Sequence, residues 1–471
     1  MNNISEIIIG AGPAGLTAAY ELVKHGHTPL VLESSDLPGG IARTEEYKGY
    51  RFDIGGHRFF TQVTEVEELW HEVLEDEFIR VPRLSRIFYQ GKFFDYPLNL
   101  KTTLSNLGAR ESLLIFLSYM RRKIAPCHRE ENFEQWVTNR FGDRLYRTFF
   151  KTYTEKVWGI PCCEIQAEWA AQRIRGLSLI STVRNALFGG NNVKSLISEF
   201  DYPRLGPGQM WEQFTHKVES GGGEVLFNSG VCELNHDNSH ITSLTTQDSK
   251  GNKSTFTAEN YISSMPITLL IHSLRPTAPQ DVIEASKKLC YRALILVALM
   301  VNDDTLFPDN WIYVHTPKVQ VGRIQNFKNW STDMVPEAGR SCLGMEYFCS
   351  EDDSLWNTSD ADLLKQAEYE LEELGLVTRG AVFDGKVVRQ PKAYPVYDAE
   401  YKMNLEILRE YLSQFKNLQT IGRNGMHRYN NQDHSMLTGL LAARNLVGEN
   451  HNLWNVNTER SYQEEFVVDK K

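Results

Sequence analysis

The sequence is short of basic residues, of long apolar runs and of paired cysteines, and each shortage removes a class of function. Lysines and arginines number 50 against 60 aspartates and glutamates, a net charge of −10. That balance gives no broad electrostatic footprint for nucleic acid, so an anionic ligand has to be met by a local cluster of arginines. No apolar run approaches the ~18 residues of a membrane span, so no integral membrane segment is expected. Leu113-Leu114-Ile115-Phe116-Leu117, followed by Met120-Arg121-Arg122-Lys123, is read as a buried helix ending in basic residues rather than as an element touching a bilayer surface. The seven cysteines form no C-x-x-C pair and are odd in number, as expected of reduced thiols in a cytoplasm. The first strand begins at about the fifth residue, leaving no room for a signal peptide, and a cytoplasmic location is expected. Nothing repeats at a fixed period, and no metal-ligand pattern stands out.

What is present is concentrated at the start. Ser5-Glu6-Ile7-Ile8-Ile9 reads as a buried parallel strand. It runs into Gly10-Ala11-Gly12-Pro13-Ala14-Gly15, a G-x-G-x-x-G turn, and then into a helix that Gly26 stops. Pro29-Leu30-Val31-Leu32 is a second strand ending in Glu33. This is the full βαβ dinucleotide fingerprint. The glycines let backbone approach a pyrophosphate, the helix N-terminus supplies N–H donors, and Glu33 can accept ribose hydroxyls. A second glycine pair follows at once in Ser34-Ser35-Asp36-Leu37-Pro38-Gly39-Gly40-Ile41-Ala42-Arg43-Thr44. Arg43 reads either as neutralising a phosphate or as a solvated loop arginine. The stretch resembles the second motif of the amine-oxidase-like flavoproteins, which implies a permanently held FAD.

Further on, an alternating strand ends in Gly55-Gly56-His57, where paired glycines allow backbone to approach a flat ring. Residues 66–80 and 103–150 are mostly helical in period, with an aromatic hairpin turning at Gln90-Gly91 between them. Residues 229–264 look like a hairpin ending in Tyr261-Ile262-Ser263-Ser264, and Val231 is the candidate to bring a backbone amide to an adenine. Residues 290–350 are strand-rich, Asp360 is a plausible N-cap, and Ala381 to Gln390 is a further strand; together they suggest a mixed sheet forming a cleft wall. The last segment returns to the cofactor through Gly422-Arg423-Asn424 and a closing helix from Ser435. The expected fold is α/β: a Rossmann-type FAD-binding domain (1–65, 205–270, 415–471), an inserted mainly helical domain (66–204) and a mixed, mostly antiparallel β-sheet substrate domain (271–414).

Separate motifs, in order, resemble the UDP-galactopyranose mutases, the eukaryotic type most closely. They are Gly55-Gly56-His57, Tyr96-Pro97, Lys156-Val157-Trp158 with Arg173, Trp311-Ile312-Tyr313 with Arg323, Tyr394-Pro395, and the run Gly422 to Ser435. The resemblance implies a reduced FAD whose N5 attacks the anomeric carbon of a nucleoside diphosphate sugar and interconverts pyranose and furanose forms, with NAD(P)H a candidate reductant and a place in polysaccharide biosynthesis. It implies catalytic roles for His57, Arg173 and Arg323, the two arginines clamping the diphosphate. It places Tyr96, Asn99, Trp158, Trp311, Tyr313, Tyr394 and Tyr429 around the substrate. Cofactor contacts are assigned to Gly10, Gly12, Pro13, Ala14, Gly15, Glu33, Gly39, Gly40, Ala42, Arg43, Gly55, Gly56, His57, Val231, Gly422, Arg423, Asn431, Gln432, Asp433 and Ser435. The sequence departs from the mutase pattern at Trp330, where those enzymes carry a tyrosine, and between Tyr429 and Gln432, which is about two residues shorter. Two other readings stand beside it: a redox flavoenzyme of the amine-oxidase, protoporphyrinogen-oxidase or desaturase kind, and a flavoprotein serving only as a binding module. A homo-oligomer is a further candidate.

Overall fold

A computed structural model describes residues 4–96, 98, 100–167 and 198–457. Arg173 and Asn99, both assigned to the substrate above, lie outside the described residues. The Ile-rich opening forms the centre of a five-stranded, wholly parallel sheet. Its order is Leu418–Thr420, Ala258–Ser263, Ile4–Ile9, Leu30–Leu32, Glu224–Leu226. Period-two alternation sends Ile8 and Val31 to one face, where the helices Pro13–Lys24, Gly208–Ser220 and Gln432–Leu446 pack, and sends Ile7, Ile9, Leu30 and Leu32 to the other. Tyr261-Ile262-Ser263 is therefore a parallel core strand and not the arm of a hairpin. The excursion before it is a meander of Gly230–His236, Ile241–Gln247 and Lys253–Phe256. The periodicity of residues 258–263 suits either role; only the pairing with Ile4–Ile9 decides it.

The second sheet has seven strands in the order Val382–Pro395, Tyr291–Val301, Ser341–Cys349, Arg323–Asn326, Trp311–Val314, Ser85–Tyr89, Lys92–Asp95. Every pairing is antiparallel except that of Trp311–Val314 with Ser85–Tyr89, giving the mixed, mostly antiparallel wall expected. The hairpin Ser85–Asp95 thus lies in this sheet although the proposed division counts it in the helical segment 66–204. That segment supplies the helices Ala109–Ile124, Phe133–Phe141 and Thr152–Trp158, but its first helix is only Thr64–Leu74 and Phe78–Pro82 is a strand. Ser359, not Asp360, caps the helix Asp360–Glu373: its hydroxyl accepts from the Asp362 amide at 3.2 Å.

A buried carboxyl joins two further short sheets, Thr44–Tyr47 with Tyr50–Asp53 and Phe78–Pro82 with Glu199–Pro203. Asp53, 1% exposed, accepts from Thr44 Oγ1 at 2.9 Å and from the Tyr202 hydroxyl, and the Gly208 amide donates to the same Thr44 oxygen at 2.9 Å. Burial pushes its carboxyl up to about 7, outweighing these two hydrogen bonds. The folded state then binds this proton more tightly than the unfolded chain does. The contribution to stability is full below about pH 4 and is lost as pH rises through about 7, up to about 4 kcal/mol. Asp53→Asn should flatten this part of the melting-temperature profile and melt above the parent at higher pH. An unchanged slope would show that the carboxylate is already ionised in the fold.

Candidate active site

The edges of both sheets meet at one cavity of about 1120 Å³. One end is made by the parallel sheet. Gly10 takes φ +101°, and Gly12 caps the helix Pro13–Lys24 with extended backbone. A Cβ on Gly15 would stand 1.9 Å from the Gly10 carbonyl oxygen, so this glycine fits helix to strand; like Gly39 it shapes the backbone and does not line the cavity. Gly12 is different. A Cβ there would meet only Gly40 Cα, at 4.0 Å, across the cavity mouth. The helix Gln432–Leu446 brings a second N-terminus to the same place, and Asn431, Gln432, Asp433 and Ser435 line the wall. Two helix N-termini converging give a site that favours an anion.

Pro13, Ala14, Glu33, Gly40, Ala42, Arg43, Val231, Gly422 and Arg423 also line this end. The Glu33 carboxylate is held by its own loop: Oε2 accepts from the Ala11 amide at 2.8 Å, and Oε1 accepts from the Ser34 hydroxyl and from the Ser35 amide and hydroxyl. It orders the glycine turn as well as facing the cavity, a role that the fingerprint does not announce. Arg43 is fixed by Glu45 at 2.7 Å and by the Gly40 carbonyl at 2.9 Å, so it is not a solvated loop arginine.

Gly55, Gly56 and His57 stand between this end and the other. A Cβ on Gly55 would be 3.9 Å from Arg323 Nη2, and His57 Nδ1 is buried with no partner among the described residues. Desolvation, then the charges of Arg423 and Arg323, pushes the imidazole down to about 3, so it is neutral.

The other end is an aromatic wall holding one buried ion pair. Arg323 and Glu346 face each other across adjacent strands. Glu346 Oε2 accepts from Arg323 Nε at 2.8 Å and from Nη2, while Oε1 accepts from Gln325 Nε2 at 2.6 Å. Arg323 Nη2 also donates to the Tyr394 hydroxyl at 3.0 Å, which leaves the Nη1 donors without an acceptor among the described residues. Burial is the largest influence and works against the guanidinium charge, but Glu346 together with Tyr394, Tyr153 and Tyr313 outweighs it and holds the arginine above its ordinary range. Tyr394 stacks on Tyr429 with centroids 5.9 Å apart, and Arg423 lies over the Tyr429 ring at 4.1 Å. Tyr96 meets Tyr313 at 4.7 Å, and Trp158 and Trp311 complete the lining. Burial pushes the Tyr394 hydroxyl up to about 12 against the pull of Arg323, so it remains a proton donor.

Sequence reasoning missed Glu346, Gln325 and Tyr153, whose ring lines the cavity 5.4 Å from that of Tyr313, although Glu346 left a signal. It is the one charged residue in Ser341–Cys349, a strand buried at every position, and a buried carboxylate requires a cation. Trp330, marked above as a departure, stacks on Trp311 at 5.4 Å, bonds the Asn310 carbonyl at 3.0 Å and lines the cavity beside Gly56, where a Cβ would meet its ring at 3.3 Å.

Comparison with known proteins bears on the family and the fold. A family profile described as flavin containing amine oxidoreductase matches residues 13–385. Over 174 residues the chain is 26% identical to a probable UDP-galactopyranose mutase of Klebsiella pneumoniae, covering 36% of this chain and 44% of that one. Over 263 residues it is 25% identical to a 1-hydroxycarotenoid 3,4-desaturase of Flavobacterium sp. (strain P99-3), covering 51% and 53%. The chain thus spans about half the length of these two relatives. A crystal structure of reduced UDP-galactopyranose mutase superposes over 98% of this chain and 100% of its own with a TM-score of 0.84, at 22% identity, a likeness of fold.

Proposed function

Because the chain belongs to the flavin containing amine oxidoreductases, we propose that it is an FAD-dependent mutase acting on a nucleoside diphosphate sugar. The cavity fits the cofactor. Gly12 and Gly40 leave a gap that a side chain would fill, two helix N-termini face it, and His57 Nδ1 and Gln432 Oε1 are buried polar atoms with no partner among the described residues. Gly10 to Ala14, Glu33, Arg43, Val231 and Gly422 would hold FAD, and in its reduced form FAD supplies the nucleophilic centre for a pyranose–furanose interconversion.

The observation that carries the mutase reading is Arg323. A cation locked to Glu346, with Nη1 donors to spare and tyrosine hydroxyls beside it, suits an anionic leaving group, whereas the apolar substrate of a desaturase gains nothing from it. Arg323, with Arg173 as the proposed second arm, binds the diphosphate. Tyr313, Tyr394 and Tyr429 donate to its oxygens, and Trp158 flanks the sugar. Neutral His57 lies beside the glycine pair and can hold a proton at one ring nitrogen without adding a charge.

The test is the electron balance. Flavin-loaded protein reduced by dithionite or NAD(P)H should convert its nucleotide sugar anaerobically for many turnovers while the flavin spectrum stays reduced, and oxidised protein should be inactive. A thermal-shift screen of the reduced protein against UDP-, dTDP- and GDP-sugars selects the substrate. Oxygen uptake stoichiometric with product, or activity of the oxidised enzyme on an amine or a polyene, would favour the redox reading to which the desaturase likeness points.

A further inference from the structure

The helix Ala109–Ile124 carries an apolar stripe that the described residues leave uncovered. Leu113 is 57% exposed, Phe116 57%, Leu117 53%, Met120 40% and Ile124 80%. These are five of the ten large apolar side chains exposed among the described residues, so the exposure is concentrated on one helix. Steps of three and four put all five on one face. Ile115 and Tyr119, on the opposite face, are buried and anchor the helix. The buried helix expected from the sequence is thus only half buried, because periodicity marks an apolar face without showing what covers it.

The stripe has basic edges. Arg110 and Arg121, both exposed, follow Leu117 around the helix, and exposed Lys123 follows Phe116 on the other side. Arg122 points inward to Asp143 at 2.6 Å, and Glu111, the one acid on the helix, is held by Arg144 at 2.7 Å. Just past the helix, Glu130 pairs with Arg140 at 2.7 Å and Glu131 with Arg129 at 3.6 Å. A chain of net charge −10 therefore presents its apolar stripe inside a cationic margin.

We propose that this face docks on an anionic phospholipid surface, with the helix lying in the plane of the bilayer. Apolar side chains between lysine and arginine suit the boundary of headgroups and acyl chains. Opposite charge at the margin offsets the repulsion that the acidic remainder of the protein would meet there. A second copy is a poorer occupant: a two-fold contact would set the same cationic edges against each other with no acid on the face to receive them. The helix is about 24 Å long, and no helix among the described residues is long and apolar enough to cross a membrane, so the element rests on the surface.

The test is flotation of the full-length, flavin-loaded protein with vesicles. Vesicles containing about one quarter phosphatidylglycerol in phosphatidylcholine should capture it roughly tenfold better than phosphatidylcholine alone, and salt should weaken capture. Phe116→Ser with Leu117→Ser should reduce capture about tenfold or more, with flavin content and melting temperature unchanged, since neither side chain reaches the core. Arg121→Glu with Lys123→Glu should remove the preference for phosphatidylglycerol, at about fivefold per charge lost. Absence of capture, or equal capture by both vesicle types, overturns the proposal. So does a dimer in light scattering that the serine pair dissolves, since a second copy would then own the face.

Discussion

Glu346→Ala is expected to lower the unfolding free energy of the flavin-loaded protein by about 3–5 kcal/mol and to remove nucleotide-sugar binding with it. Glu346 is fully buried and both oxygens are used, Oε2 by Arg323 and Oε1 by Gln325. Truncation leaves a guanidinium in the sheet wall with no counter-charge, and a glutamine donor with no acceptor. The Arg323 side chain is 19% exposed, so cavity water relieves part of the cost and the lower end of that range applies. Arg323→Ala strands the fully buried Glu346 carboxylate in turn, so it too should lower stability. It should weaken nucleotide-sugar binding by about 2–4 kcal/mol, the worth of a charge-assisted phosphate contact in a partly closed site, with flavin content close to the parent's. Exchanging the pair for apolar residues, Arg323→Met with Glu346→Leu, should recover most of the stability but none of the binding. Denaturant titration and calorimetry report the two quantities separately. If Glu346→Ala stays within about 1 kcal/mol of the parent, the pair is effectively solvated and Glu346 does not position Arg323.

The pair also shows where reading the sequence stops. Gly10 to Glu33 is legible because its signal is local: a strand, a turn and a helix follow within about thirty residues, with the glycines at fixed spacing. Arg323 could be named only by likeness to a motif. Its partner stands across a strand pairing, and register depends on how the whole sheet assembles. The same limit explains Tyr261–Ser263, whose alternation suits an antiparallel hairpin as well as the parallel core strand it forms. It explains the hairpin Ser85–Asp95, which joins a sheet whose other strands lie some two hundred residues further along. It also explains Asp53, whose carboxyl is raised by burial in the assembled core, against the hydrogen bond that the distant Tyr202 donates to it.

Two glycines of the opening turn should respond to substitution in opposite ways. A Cβ at residue 15 would lie 1.9 Å from the Gly10 carbonyl oxygen, just past the central strand, and 3.3 Å from an Ile8 methyl within it. Backbone cannot yield there without separating helix Pro13–Lys24 from the sheet it covers, so Gly15→Val should cost more than about 4 kcal/mol and leave little folded protein with or without flavin. At residue 12 the backbone is extended, with φ −80° and ψ −177°, which any residue adopts. The nearest atom to a Cβ there is Gly40 Cα at 4.0 Å, ordinary contact, so the fold has room for it. Gly12→Val should therefore express, and its apoprotein should melt near the parent apoprotein. Its branched side chain stands in the gap between the two glycine loops, where a pyrophosphate needs bare backbone. Flavin affinity should fall roughly ten- to hundredfold, about 1–3 kcal/mol, and the protein should purify pale. Absorbance of the purified protein and titration of the apoprotein with FAD measure this directly. A Gly12→Val protein as yellow as the parent would place the cofactor elsewhere in the cavity, and an unfolded one would mean that this turn is as tightly fitted at residue 12 as it is at residue 15.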